Sequence, residues 1–385
     1  MIGSRYIGVF AFAAALWAGL VLGVVWFQNP YGVSPVRFSI HNVNRLKPER
    51  IDIDRLIKPY EAWRYQPRSV FLGTSRIHQS IDPAVLHGTR YAPAYNAAVP
   101  ANTLSENAAY IPQYFRLDPR LEYVFIELFL YNFIFPGPEE APRSRLIAFG
   151  DVAPLQFSTG ALFDSLLTLQ FNRSGQEIGP FIAPGGYWVR PAHFDTKATF
   201  NAQLFADTIV RIHKTIPTML LQPSTLASVD RIAETCMRHH AQLIMFLTPS
   251  YPWDDYRLLS LGYWPLLEQW LRRVAEYPNV YSFAQYNDLT DEPVSGKMKY
   301  WNDPIHFSMT MGRLMLRAFS GEKDAELPNN FMVALNPHTV EAVIENRRAG
   351  LDRWTAEHQR FAALFEAAKR AGHLGPVAEI KLEGR

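Results

Sequence analysis

The hydrophobic pattern divides the chain near residue 30. Residues 6–27 are apolar or small and carry no charge. A helix over them, rising 1.5 Å per residue, is about 33 Å long, enough for a ~30 Å hydrocarbon core. Beyond Pro30 the apolar residues come in short bursts. Residues 69–72, 94–99, 123–130, 243–247 and 280–283 form apolar runs closed by turn residues, which predicts five buried strands. Between them, helical patterns cover 103–115, the stretch from Ser228 or Asp230 to His240, 264–276 and 307–319. The first of these is opened by Asn102 or Thr103, with Glu106 in its first turn. Residues 75–86 read as a helix or turn. Short strands alternating with helices predict an α/β body on a parallel, doubly wound sheet.

Residues 136–200 break the alternation. They are rich in Pro, Gly and Phe, and read as an insertion over the carboxyl edge of the sheet. Helical periodicity returns over 336–371, with Asn336 as cap, Pro337 at the first helical position and an apolar stripe from Val340 to Phe365. The expected layout is therefore a cytoplasmic tip and transmembrane helix (1–29), a stalk (30–65), a catalytic-type body (66–325) and a C-terminal helical extension (326–385).

Composition narrows the function classes. A chain that is 48% hydrophobic and 19% charged is too apolar to be disordered. A net charge of +2 gives no footprint for nucleic acid. The single Cys236 allows neither an internal disulfide nor a cysteine-rich metal site, and it is no lipid-attachment cysteine beside the anchor. Arg5 and the N-terminal amine are the only positive groups before the apolar run. They place the N-terminus in the cytoplasm and the body outside it. No small-x-small cleavage site precedes Gln28-Asn29-Pro30, so a retained signal-anchor is expected rather than a cleaved signal.

Two short motifs carry candidate chemistry. In Phe71-Leu72-Gly73-Thr74-Ser75-Arg76 a serine sits just past a buried strand, where its hydroxyl projects into the crevice above the sheet. The G-x-S-x-G elbow is absent, because Ile77 takes the place of the last glycine. In Asp303-Pro304-Ile305-His306 a carboxylate and an imidazole share one turn, a compact base with its orienter. The order matters: serine after the first strand, D-x-x-H after the fifth.

This combination resembles the SGNH (GDSL-like) hydrolase superfamily over about residues 66–320. Gly73-Thr74-Ser75 looks like its first block and Asp303-Pro304-Ile305-His306 like its last. Residues 95–103 are similar to the second block, whose glycine donates a backbone N–H to the oxyanion. Ala101 matches that position, or else Ala98. The third block supplies an asparagine, but Tyr131 falls at that place and Asn132 one residue later.

With the N-terminal anchor, the chain looks most like the envelope branch of that superfamily, related to alginate O-acetylation and teichoic-acid D-alanylation proteins. The resemblance implies a three-layer α/β/α fold and a serine esterase or O-acyltransferase in the periplasm, held by the bacterial inner membrane. Ser75, His306 and Asp303 would form its triad. Ala101, Asn132 and Asn96 would serve the oxyanion or substrate, and Arg76 would either contact a substrate anion or pair with a carboxylate. A polysaccharide would be the acceptor and a membrane-bound O-acyltransferase the acyl donor, with no metal or organic cofactor. The alternative is a non-catalytic glycan-binding or scaffold protein of the same fold; a lipid-directed esterase is a third reading.

Other titratable residues have plainer expectations. His78 lies three residues after Ser75 and is a rival base only if both lie on the helix. His193 with Asp195 falls in the insertion. His239 and His240 are adjacent at a helix end and do not face one metal. Glu127, within a strand, is expected to pair with a basic side chain.

Overall fold

The structure, a computed structural model, describes residues 2–33, 39–48, 51–134, 156–174, 181–190, 196–215, 221–322 and 326–372. Ahead of the main sheet come α1 (Ile2–Gln28), β1 (Lys47–Pro48) and α2 (Ile51–Tyr65). The first half of the body is β2 (Ser69–Leu72), α3 (Ser75–Ser80), β3 (Ala94–Asn96), α4 (Leu104–Leu117), β4 (Tyr123–Glu127) and α5 (Leu130–Ile134). The insertion contributes α6 (Thr159–Ser174), β5 (Phe181–Ile182), β6 (Trp188–Val189) and α7 (Thr196–Thr199). Then follow α8 (Ala202–Thr215), α9 (Pro223–Arg238), β7 (Gln242–Leu247), α10 (Pro252–Ser260), α11 (Trp264–Val274) and β8 (Val280–Ser282). The chain closes with α12 (Met309–Ser320), β9 (Val333–Ala334), α13 (Val340–Glu357) and α14 (Gln359–Ala371).

The main sheet runs β3-β2-β4-β7-β8-β9. Its first five strands are parallel neighbours, with Ser69 opposite both Ala94 and Tyr123, Tyr123 opposite Gln242, and Met245 opposite Val280. In chain order they stand 2-1-3-4-5, so the winding direction reverses between β2 and β4, where open α/β sheets place their crevice. The sixth strand corrects the purely parallel expectation: β9 is antiparallel to β8, with Tyr281 opposite Ala334. Two residues are too short a run to show as a strand in the sequence.

The strands are buried because aromatic rings fill the space beside them. Phe71 stacks on Phe125 at 4.3 Å. Phe319 of α12 meets Phe125, Phe246 and Phe283 edge-on, with centroids 5.2–5.5 Å apart. Such pairs add about 1 kcal/mol each to the burial itself. α4 packs against α9 and α2, while α12 packs against α3. A Cβ on Gly312 would come within 1.8 Å of the Ser80 carbonyl, so only glycine lets α12 lie this close to α3. That approach brings the two chemical motifs together.

Several boundaries differ from the sequence reading. The strands expected over 94–99 and 123–130 stop at Asn96 and Glu127, where the chain leaves the ladder for the site loops. α9 opens earlier than expected, at Pro223, whose missing N–H costs nothing at a first helical position. The stretch taken as a stalk holds α2, which packs on α4. The long C-terminal helix is two helices. At His358 the imidazole stacks on Trp354 at 4.4 Å and its Nδ1 lies 2.8 Å from the Trp354 carbonyl. The turn there lets Phe361 stack on Trp253 at 4.6 Å.

The insertion does not act as one unit over the sheet edge. β5 pairs with β1 on one side and β6 on the other in a small antiparallel sheet, and the chain leaving β6 reaches the candidate site. α6 instead packs along α1. His193 and Asp195 lie outside the described residues. Among the described residues one helix is long and apolar enough to cross a membrane, over Tyr6–Gln28 with mean hydropathy 2.3.

Candidate active site

Gly73 ends β2 with no room for a side chain. A Cβ there would meet Ile77 at 2.5 Å and the Glu127 Oε2 at 2.9 Å. Thr74 caps α3 by accepting the Arg76 N–H. Its own N–H and hydroxyl both donate to Glu127 Oε2 at 2.8 Å. The Thr248 hydroxyl donates to Glu127 Oε1 at 3.1 Å, and Arg76 Nε lies 3.6 Å from it. The buried Glu127 carboxylate thus fixes the turn that presents Ser75. Ser75 itself is the first residue of the helix rather than part of the preceding turn.

Ser75 Oγ is 2.8 Å from His306 Nε2. On its other side His306 Nδ1 lies 2.9 and 2.8 Å from Asp303 Oδ1 and Oδ2. Burial alone would raise the Asp303 carboxyl, but the His306 hydrogen bond and charge, and the N–H groups of Ile305 and His306, outweigh it. The pKa falls from 3.8 to about 2. An ionised carboxylate only accepts, so the Nδ1 position carries the proton and the Nε2 lone pair faces the serine hydroxyl. Asp303 Oδ1 also accepts the Ile305 and His306 N–H groups at 2.9 and 2.8 Å. The Ser80 hydroxyl donates to the Phe307 carbonyl and ties α3 to the histidine segment.

The loop after β3 is stitched to the same place. Val99 N–H and Asn102 Nδ2 both donate to the Gly73 carbonyl at 3.3 Å. Ala101 takes φ +52°, a left-handed conformation that favours glycine and costs alanine roughly 1 kcal/mol. Among the described residues neither the Ser75 nor the Ala101 N–H has an acceptor. Ala98, the other candidate, spends its N–H on Asn96 Oδ1 at 3.1 Å. The Asn132 carboxamide has no hydrogen-bond partner among the described residues. Tyr131 packs instead on Phe129, at 4.9 Å, and under the Arg257 guanidinium, at 4.3 Å.

Two sequence expectations are corrected. Asn96 is fully buried, and its Nδ2 donates to the Ile77 and Ile81 carbonyls at 2.8 Å. With Oδ1 taken by Ala98, it locks α3 to the loop and has nothing left for substrate. Arg76 is also buried: its guanidinium donates to the Pro249 carbonyl and lies 4.6 Å above the Phe129 ring. Its charge is met by Glu127, 3.6 Å away, the carboxylate pairing that is its other expected role. His78 is no rival base, since it is buried with Nε2 3.9 Å from Asp54, and burial pushes its pKa well below 6.5. His239 stacks on Phe115 at 4.3 Å.

Three residues that bond to the candidate site or its loops escaped the sequence reading. Arg190, leaving β6, donates to Gln79 Oε1 at 2.6 Å and to Asp303 Oδ2 at 3.3 Å. Lys58 of α2 is buried and donates to the carbonyls of Asn96, Ala98 and Gly186 at 3.0, 2.6 and 2.6 Å. Burial lowers its pKa from 10.5 to about 8, against the pull of Asp54 and Glu61. Arg55 donates to the Pro100 carbonyl at 2.9 Å and to Glu106 at 2.8 Å. Nothing in local spacing marks these three, because each acts across more than 35 residues. The one clue to Arg190 was the Gly185-Gly186 turn, which signals a hairpin ahead of it. No family model and no curated protein sequence matches the chain.

Proposed function

We propose that the protein is a serine esterase or O-acyltransferase of SGNH type, anchored in the bacterial inner membrane and acting in the periplasm on an envelope or exported polysaccharide. The observation that carries this reading is the unbroken relay from Ser75 Oγ through His306 to Asp303, with contacts of 2.8 Å on both sides of the ring. A histidine that merely filled space would have no reason to pair one nitrogen with a serine at a helix start and the other with an ionised carboxylate.

Ser75 Oγ attacks the acyl carbonyl while His306 Nε2 takes its proton. The oxyanion is met by the Ser75 and Ala101 N–H groups, with the Asn132 carboxamide as a third donor. One such donor is worth roughly 10²–10³ in rate. The tetrahedral intermediate collapses to an ester on Ser75, and the leaving alcohol receives the proton from His306. In the second half His306 takes a proton from a sugar hydroxyl, or from water, as that oxygen attacks the acyl carbonyl. The second tetrahedral intermediate then breaks the bond to Ser75 Oγ, which takes the proton back from His306, and the acylated sugar or free acid leaves. Asp303 holds the imidazole in one tautomer and stabilises the imidazolium formed in both halves. The acyl donor side is a membrane-bound O-acyltransferase and the acceptor a glycan; both come from the family resemblance.

The test is release or transfer of acetyl from an activated acetyl ester by the purified full chain. Turnover that disappears in Ser75→Ala and His306→Ala supports the enzyme. Wild-type protein without turnover, in a cell that Ser75→Ala still complements, points to the non-catalytic scaffold instead.

A further inference from the structure

α6 is built inside out. Its inward face carries Ala161, Ser165, Thr168 and Asn172, spaced as one helical stripe, with Phe171 the large apolar residue buried beside them. Its outward face carries Phe163, Leu166 and Leu167, and Phe157 lies just before the helix; all four are exposed, Phe163 by 70%. In water this is the wrong arrangement for a helix on a globular body. The polar side chains on the inward face bond back to their own helix. Ser165 Oγ donates to the Ala161 carbonyl, Thr168 Oγ1 to Asp164 and Asn172 Nδ2 to Thr168, each at 2.7 Å. Apart from Phe171, small and polar residues face the helix contact and apolar residues face outward, the pattern of helices packed in lipid.

The surroundings agree. α6 packs on the end of α1, where Val25 is buried, and Tyr31 Oη donates to Asp164 Oδ2 at 2.6 Å. Trp26 and Phe27 at this level of α1 are exposed, as in an interfacial aromatic belt. The far end of α6 is clamped to the chain before β1 by Leu46 N–H to Asn172 Oδ1 and Asn172 Nδ2 to the Leu46 carbonyl, both at 2.8 Å. Arg45, beside that clamp, lines a cavity of about 350 Å³ with Arg64, Glu61 and Asn29 at the foot of α1. Lys47 turns inward there: its Nζ donates to the Gln28 carbonyl at 3.0 Å, and burial lowers its pKa to about 7. An apolar face with cations beside it matches the acyl and phosphate layers of a bilayer.

We infer that α6 is a second membrane contact: it lies in the interfacial layer beside the anchor, with Phe163, Leu166 and Leu167 in lipid. The inference rests on α1 spanning the bilayer, and it holds the body against the membrane surface instead of on a free tether. The test uses the full chain in vesicles of phosphatidylcholine and phosphatidylglycerol, with Cys236→Ser and a single cysteine from Phe157→Cys, Phe163→Cys or Leu166→Cys. A polarity-sensitive fluorophore on that cysteine is exposed to aqueous iodide and to lipids spin-labelled near the headgroup. Labels at 16, in α1, and at the exposed position 237, in α9, are the references.

Labels on α6 are expected to be quenched by the lipid and about fivefold less by iodide than the label at 237. Iodide quenching equal to that at 237, with the label at 16 in lipid, overturns the α6 contact alone. An aqueous label at 16 as well overturns the anchor with it. Protection from both quenchers means that protein covers the face, and also overturns the inference.

Discussion

Replacing Asp303 with asparagine exchanges a single oxygen for an NH₂ group and should stop catalysis by reversing the polarity of the relay. Asp303 Oδ1 accepts two backbone N–H groups, from Ile305 and His306 at 2.9 and 2.8 Å. In Asp303→Asn the amide oxygen must take that place, because an NH₂ group there would face two donors. The NH₂ group then falls at Oδ2, 2.8 Å from His306 Nδ1 and 3.3 Å from Arg190 Nη2. Nδ1 then faces the NH₂ group at 2.8 Å, and the amide oxygen at 2.9 Å is already held by two N–H groups, so the ring favours accepting at Nδ1 with its proton on Nε2. In that form it donates to Ser75 and has no lone pair for the serine proton. A triad histidine held in the wrong tautomer loses about 10⁴ in kcat, roughly 5 kcal/mol of barrier. The assay is hydrolysis of an activated acetyl ester by full-length wild type and variant. Circular dichroism and thermal melting confirm that both are folded. A variant within about tenfold of wild type refutes the tautomer argument.

The same carboxylate ties stability to acid. Its drop from 3.8 to about 2, at about 1.4 kcal/mol per pH unit, favours the fold by about 2 kcal/mol. That contribution is fully present above pH ~4 and is lost as pH falls towards 2, so the wild-type and Asp303→Asn denaturation curves should draw together over this window; parallel curves contradict it. Arg190→Gln removes a cation 3.3 Å from Asp303, leaving the carboxylate's full charge on the imidazolium. The acidic limb of the kcat/KM–pH profile should move to higher pH and return in Arg190→Lys; an unmoved limb rejects a role for Arg190 at the triad. Lys58→Met removes three hydrogen bonds to loop carbonyls, about 3 kcal/mol, partly offset because no ammonium is then buried. Its kcat should therefore fall more than its melting temperature suggests, and an unchanged kcat argues against Lys58 positioning the 96–101 loop.

The sequence exposed what is local and periodic. Most residues of the five parallel strands are apolar and buried, and Ser75, Asp303 and His306 of the candidate site lie in two short segments. What it hid depends on distance or direction. Asn96 sits in the right block, yet no spacing reveals that its amide turns inward to Ile77 and Ile81. Arg76 follows the serine directly, but the first turn of α3 points it over the Phe129 ring instead of into the crevice. Arg190, Lys58 and Arg55 reach the site from segments with weak periodicity. β9 is two residues long, and α6 carries its apolar residues on the face a soluble body would hide, so a pattern reading that assumes water on the outside cannot place it.

The central claim is that Ser75 is a nucleophile activated by His306. The most direct measurement is covalent labelling of the full chain with a fluorophosphonate, the adduct being located by peptide mass spectrometry. The account predicts one adduct, on Ser75, absent in Ser75→Ala and formed far more slowly in His306→Ala. Folded wild-type protein that takes no label, or a label on another residue that survives Ser75→Ala, contradicts it.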